Sequence, residues 1–138
     1  MPSRESHIAT AVDNFELAKV LLPTSLAWCT TVSFYAALHI VDAVLALENI
    51  HPENHHARTG HLKTKRNLQH IWKHYKPLYD HSRRARYLMG GDSSAEALIQ
   101  ASLGRENVER QVINHFLKQV DASACRLLSM EKILTDWP

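Results

Sequence analysis

The sequence predicts an all-α protein, an up-and-down bundle of four to five helices forming one domain over residues 1–138. Apolar residues recur every three or four positions along most of the chain, and no stretch alternates as a strand would. The chain has only 4 glycines and 5 prolines, too few for a fold built from many turns. Its 138 residues suffice for one hydrophobic core.

The first two helices are predicted from apolar spacing and from the residues between them. Ser6 to Leu22 carries apolar residues at helical spacing, and Pro23 ends that helix. Thr24 or Ser25 can cap a second helix, which runs from Leu26 to Glu48. This second helix is apolar nearly all round, so we expect it at the centre of the bundle.

The middle of the chain predicts a loop and shorter helices. Ile50 to Gly60 is rich in His and Asn and is interpreted as a loop. His61 to Tyr79 has the apolar stripe of a third helix, which Pro77 would kink or shorten. Ser82 to Leu88 favours a short helix or a turn.

The last part of the chain predicts one long helical region after a break. The break is the run Gly90–Gly91–Asp92, because paired glycines favour turns. Ser93 to Leu134 again shows helical spacing, with an interruption expected near Gly104.

Composition and charge limit the function classes. The net charge of +2 and the pI of about 8.6 are far from the strong positive balance of an obligate nucleic-acid coat. Cys29 and Cys125 lie in apolar stretches without a zinc-binding spacing, so we expect buried, reduced thiols. The N-terminus lacks a signal-peptide pattern, and the apolar stretch from Phe34 to Leu47 is short for a membrane span. We therefore expect a soluble cytoplasmic protein that makes no contact with a membrane.

Three polar residues share one face of the predicted central helix. Tyr35, His39 and Asp42, which we call the polar row, stand at positions i, i+4 and i+7. Burying them costs free energy unless each has a partner. The pattern therefore predicts an internal network that ties this helix to the next one, or else a histidine that faces a groove and binds or transfers a proton.

The histidine-rich loop raises the question of a metal. Its polar residues are His51, Glu53, His55, His56, Arg58 and His61. Zinc sites usually need a closed ligand set at fixed spacing, which this loop lacks. His70 and His74 have the helical i, i+4 spacing, but such pairs are common on solvated faces. We expect no metal and no cofactor.

Two further groups of residues are candidates for chemistry. Arg83, Arg84, Arg86 and Tyr87 form a basic cluster, with Lys63, Lys65 and Arg66 one helix earlier. Lys and Arg neutralise phosphate, and a tyrosine ring can stack on a base, although the cluster could also be a solvated face. Arg110 and His115 are separated by four residues in the last helical region.

The runs FYAALHIVDAVL, HPENHHARTGHL and YDHSRRARY resemble the HEPN superfamily of nucleotide-binding helical domains. They are most similar to small stand-alone prokaryotic members, which have a YYAMFHAA helix, a P-x-S/T-H loop and a late R-x-x-A-D-Y segment. Phe34 to His39 matches the first motif, Pro52 with His55–His56 the second, and Arg83 to Tyr87 the third. Arg86 replaces the usual acidic residue, and the resemblance covers about Ala27 to Val120.

The resemblance implies a four- or five-helix bundle that forms a homodimer. Many members are metal-independent ribonucleases, in which an Arg followed four to six residues later by a His does the chemistry. The histidine acts as general base on the ribose 2′-hydroxyl, and the arginine stabilises the charged phosphate. Here the expected segment, RRARYLMGGD, has no His, and only Arg110 and His115 have the spacing.

Two functions are therefore predicted. The first is an RNA- or nucleotide-binding regulatory module acting as a homodimer, within a toxin–antitoxin or defence system, with a nucleotidyltransferase or antitoxin as a further partner. The alternative is a metal-independent endoribonuclease toxin. The predicted catalytic residues are Arg110, His115 and His39, and the predicted ligand-binding residues are Arg58, His61, Arg83, Arg86 and Tyr87.

Overall fold

A computed structural model of the chain describes residues 2–87 and 104–134. Its helices are α1 (Arg4–Leu21), α2 (Leu26–Ala46), α3 (His55–Thr64), α4 (Gln69–Tyr87), α5 (Gly104–Asn107) and α6 (Lys118–Leu128). A 3₁₀ turn (Arg66–Leu68) precedes α4, and a π-helical segment (Val108–Leu117) joins α5 to α6. We call the continuous stretch of residues 104–128 the C-terminal helix. The described residues contain no strand, which confirms the all-α prediction.

Side-chain caps set the beginnings of the first two helices. The Ser3 hydroxyl accepts a hydrogen bond from the Ser6 amide, so α1 begins two residues before the predicted start. The Ser25 hydroxyl accepts from the Trp28 amide and caps α2. Helix α2 then ends at Ala46, two residues before the predicted end.

Helix α2 is the central helix, as its composition predicts. It packs against α1, α4 and the C-terminal helix, and most of its residues are buried. It is also long and apolar enough to cross a membrane by length and composition, in contrast to the shorter stretch considered in the sequence. However, 78% of its most apolar window is buried inside the bundle, as in the core helix of a globular protein.

The predicted loop over Ile50 to Gly60 is wrong in its second half. Helix α3 begins at His55, because the Asn54 side chain accepts a hydrogen bond of 2.8 Å from the Ala57 amide and caps it. A single polar N-cap is easily hidden in a segment that otherwise has the composition of a loop.

The predicted third helix is split in two. Lys65 is extended, with φ −83° and ψ 122°, and separates α3 from the 3₁₀ turn and α4. Helix α4 then continues through Pro77 to Tyr87 and includes residues 82–87 of the segment predicted as a separate short helix or turn, whose last residue lies outside the described residues. Tyr75 and Leu78, on either side of the proline, are fully buried, and their packing offsets the hydrogen bond that Pro77 cannot make.

The C-terminal helix begins at Gly104, whose φ of 70° favours glycine, at the predicted interruption. It ends at Leu128, several residues before the predicted end, and the next residue, Ser129, is left-handed with φ 56°. Buried Asp121 then accepts hydrogen bonds of 3.0 Å from the amides of Ile133 and Leu134, holding the following segment against the helix. The predicted break at residues 90–92 and the first part of the last predicted helical region, residues 93–103, lie outside the described residues.

Both cysteines are buried and reduced, as predicted. Burial, together with a hydrogen bond to Asp121, raises the pKa of the Cys125 thiol to about 12. The thiol therefore stays protonated near neutral pH and serves as a small packing group.

Candidate functional site

A groove of about 300 Å³ runs between α3 and α4, and it is the candidate binding site. Among the described residues that line it, the basic side chains are Lys63, Lys76 and Arg83, and Asp80 is the single carboxylate. Lys76 binds Asp80 at 2.8 Å in an exposed ion pair. The remaining lining residues are His55, His56, Thr59, Trp72 and Tyr79. The groove is therefore basic on balance and carries aromatic rings beside the charges.

The two aromatic rings of the groove are held by packing from below. Tyr79 meets the buried Phe34 ring edge-on at 5.4 Å, and Trp72 lies 6.3 Å from the ring of buried Tyr75. Each ring also has a cation close by. Lys63 Nζ is 5.6 Å from the Trp72 ring, and the Arg83 guanidinium is 5.7 Å from the Tyr79 ring. Alternating cations and half-buried rings can bind phosphate and stack on bases.

A second groove lies on the other side of α4. It shares Trp72, Lys76 and Asp80 with the first and adds Lys73 and Arg84 as further basic residues. Because Trp72, Lys76 and Asp80 stand four residues apart, they form a ridge along α4 with a groove on each side. We call the five basic side chains of the two grooves the basic face, which consists of Lys63, Lys73, Lys76, Arg83 and Arg84.

The structure divides the predicted basic cluster. Arg83 lines the first groove, whereas half-buried Arg86 points inward and donates a hydrogen bond of 3.0 Å to the Tyr35 hydroxyl. Arg86 also donates to the backbone carbonyl and the hydroxyl of Ser82, both at 3.3 Å. These contacts join α4 to α2, so Arg86 is positioned as a tie between helices rather than as a groove residue.

Arg58, predicted to bind a ligand, lies in the interior of the bundle. Its guanidinium donates two hydrogen bonds to the Asp42 carboxylate, of 2.7 and 3.0 Å, and both side chains are 7% exposed. Burial opposes the charge of Arg58, but the hydrogen bond and negative charge of Asp42 outweigh it and raise the pKa of Arg58. Both ends of this α2–α3 contact are thus engaged within the protein.

His39, the middle residue of the polar row, faces α1. Its Nδ1 is 3.1 Å from Nδ1 of His7, so one ring donates a hydrogen bond to the other. Burial is the main reason that the pKa values of both histidines are lowered, with the neighbouring ring adding to the effect on His39. All three residues of the polar row thus have internal partners, which confirms that a network is present, but it ties α2 to α1, α3 and α4 and not only to the next helix.

Arg110 and His115 lie in the π-helical segment. The i→i+5 hydrogen bonds of a π-helix leave residues five apart at roughly 50° around the axis. In an α-helix the same two residues would be about 140° apart. Arg110 donates a 2.7 Å hydrogen bond to Asn107, and exposed His115 lies edge-on to the His74 ring at 5.5 Å. In the described part of the chain, His39 is not among the contacts of Arg110 and His115. Its ring partner is His7.

Two further residues predicted to bind a ligand, His61 and Tyr87, are not among the residues described as lining the groove. His61 is half-buried on α3 and does not line the groove. Tyr87 is the last residue of α4, and its side chain lies outside the described part of the structure.

Sequence reasoning overlooked four residues that the structure makes prominent: Trp72, Lys76, Tyr79 and His7. Trp72 falls on the apolar stripe of the predicted third helix. Periodicity alone cannot tell a buried ring from one at a groove. The i, i+4 spacing of Trp72 and Lys76 in the sequence does indicate that the two side chains are neighbours on the helix surface. No sequence signal links His7 to His39, which lies 32 residues later.

No family model matches the chain, and comparison with curated proteins and with solved structures found no match. The resemblance to HEPN proteins therefore depends on the sequence motifs alone.

Proposed function

We propose that this protein is a HEPN-like regulatory module that binds single-stranded RNA, or a nucleotide, in the groove between α3 and α4. The observation that carries the proposal is the alternation of basic and aromatic side chains along that groove. Lys63 lies by Trp72, and Arg83 lies by Tyr79. Such a surface binds the phosphate backbone through charge and the bases through stacking, without reading a sequence.

The arrangement favours a single strand over a duplex. The rings of Trp72 and Tyr79 are available only to unstacked bases, which a duplex does not offer. The basic face continues around the α4 ridge into the second groove, so a strand longer than one nucleotide meets further cations. We therefore expect affinity to rise with strand length.

Fluorescence anisotropy of a labelled single-stranded RNA tests the groove. Arg83→Ala should weaken binding by about five- to tenfold and lower the salt slope by about 0.7 to 1, because one phosphate contact is lost. Trp72→Ala should weaken binding with an unchanged salt slope, since stacking releases no counterions. Arg126→Ala removes an exposed charge outside both grooves and is the matched control. Equal binding by all variants, or none by the wild type to RNA or nucleotide, would refute the proposal.

The homodimer is part of the same proposal. Large apolar side chains are exposed at the end of the bundle where α1 turns into α2: Leu17 is 46% exposed, Val20 66% and Trp28 48%. Covering these side chains against a second copy would remove apolar surface from water. The molecular mass from sedimentation, measured for the wild type and for Val20→Asp, tests whether these side chains join two copies. We expect a dimer for the wild type and a monomer for the variant.

The alternative proposal is a metal-independent endoribonuclease toxin acting through Arg110 and His115. One observation favours it: the π-helical turn, which often occurs at functional sites, brings these side chains toward one face. RNA cleavage in the presence of EDTA, with 2′,3′-cyclic phosphate ends, would establish it. Loss of cleavage in His115→Ala but not in His74→Ala would identify the base. Intact RNA after incubation with the wild type would eliminate this alternative.

A further inference from the structure

We propose that His7, His39 and Asp42 form a binding site for one zinc ion between α1 and α2. The site lies in the polar interior of the bundle and does not depend on the function proposed for the groove. It also revises the expectation from the sequence that the protein binds no metal.

The spacing of the two histidines fits two ligands on one metal ion. Nδ1 of His7 and Nδ1 of His39 are 3.1 Å apart. Two nitrogens bound tetrahedrally to zinc at about 2.0–2.1 Å stand about 3.3 Å from each other. The ligand atoms of His7, His39 and Asp42 all lie within 4.8 Å of one another, so the carboxylate must move inward by up to about 1.5 Å to complete a tetrahedral set.

Zinc also accepts this set of ligand atoms on chemical grounds. Two imidazoles and one carboxylate are ligands that it takes in proteins. A neutral imidazole binds a metal through a ring nitrogen, and the Nδ1 atoms of His7 and His39 face each other here. Without metal, one Nδ1 carries the proton of the shared hydrogen bond. When both Nδ1 atoms bind zinc, that proton is exchanged to Nε2 of the same ring, and the pair neither gains nor loses a proton overall.

Asp42 can bind a metal without releasing Arg58. A carboxylate has about four lone-pair directions, and the guanidinium uses two of them. Carboxylates that bind metals are commonly held in place by a second hydrogen-bonded group, and Arg58 fills that role here. Its positive charge lowers the affinity for a cation, so the site should bind zinc less tightly than an otherwise identical site without the arginine.

His51 is the candidate for the fourth ligand. Its Nδ1 is buried and has no hydrogen-bond partner among the residues that the structure describes, while its Nε2 lies 3.2 Å from the Asn49 side-chain oxygen. Its ligand atoms lie outside the group that is within 4.8 Å, so the His51 ring must approach His7 to bind the same ion. A buried ring nitrogen without a partner costs free energy, and a metal bond would remove that cost.

The test uses the untagged full chain, stripped with EDTA and desalted, and titrated with Zn²⁺ against a chromophoric chelator. We expect one ion per chain, and His7→Gln and His39→Gln should each weaken binding by at least ~10-fold. His70→Gln/His74→Gln, which removes the helical i, i+4 pair on α4, is the matched control and should bind as the wild type does. His51→Gln should also weaken binding, and unchanged affinity would overturn the assignment of the fourth ligand.

A second measurement covers variants that fail to fold. In wild-type protein, Zn²⁺ should shift the imidazole ¹⁵N resonances of His7 and His39 and leave those of His70 and His74 in place. Failure of the stripped chain to bind Zn²⁺, or binding that disappears in His70→Gln/His74→Gln, would overturn the proposal.

Discussion

Each residue of the polar row on α2 binds a different neighbouring helix. Tyr35 accepts from Arg86 on α4, Asp42 accepts from Arg58 on α3, and His39 pairs with His7 on α1. A buried polar group without a partner costs about 1–3 kcal/mol, so each contact is favourable only when its helix is correctly placed. The three contacts thus select one arrangement of helices around α2, which apolar packing alone specifies less strictly.

Arg58→Ala tests the most deeply buried of these contacts. We expect a loss of about 3–5 kcal/mol in the free energy of unfolding, because the variant leaves the Asp42 carboxylate buried without its partner. Urea denaturation followed by circular dichroism measures it. Arg58→Lys should restore only part of the loss, because an ammonium cannot reproduce the two parallel hydrogen bonds.

A double variant separates the cost of an unpaired charge from the value of the pair. Arg58→Met/Asp42→Leu should be more stable than Arg58→Ala, since no charge is left buried. If the double variant were no more stable than the single variant, the unpaired Asp42 carboxylate would not be the main cost of removing Arg58.

At the scale of the helices, short capping and breaking residues decide the boundaries. Lys65 separates α3 from α4 through one extended residue, although the apolar pattern runs on without a break. Pro77 fails to end α4, because buried neighbours on both sides hold the helix in place. Local signals therefore predicted the presence of the helices better than their ends.

Asn54→Ala tests the cap that begins α3. We expect a loss of about 1 kcal/mol in the free energy of unfolding, because the Ala57 amide loses its acceptor. Asn54→Asp keeps an acceptor at the same place and should be close to wild type. Thermal denaturation of the three proteins measures the difference, and equal stability of Asn54→Ala and wild type would show that the cap has no energetic role.

At the scale of the whole molecule, the histidines couple the fold to pH. Burial is the main cause that lowers the pKa of four histidines on four different helices, namely His7, His39, His55 and His81. A histidine with a lowered pKa in the folded state favours that state while it is neutral. Its contribution is complete above the pKa of the unfolded chain, about 6.5, and is lost as pH falls below it.

We therefore expect the urea midpoint, measured in EDTA, to fall steadily between pH 7 and pH 5. His39→Gln should flatten this dependence. It removes the pair of rings that shares one proton in the folded state and resists taking up a second proton. His70→Gln, at an exposed position, is the control and should leave the slope unchanged. A midpoint that stays constant over this range would contradict the expectation.

The sequence by itself determined that the chain is helical, that α2 is its central helix and that the polar row needs internal partners. Each of these follows from local spacing, because a helix places residues three and four apart on one face whatever surrounds it. The basic cluster near Arg83 could be predicted for the same reason, since its charges lie close together along the chain.

Only the tertiary structure decided which partners these residues have. Tyr35 and Arg86 are 51 residues apart, and His7 and His39 are 32 apart, so no local pattern joins them. The groove arises in the same way, because Lys63 on α3 and Trp72 on α4 meet only after the break at Lys65 folds one helix against the other. Contacts between distant segments depend on how whole helices pack, and that packing is set by the complete core.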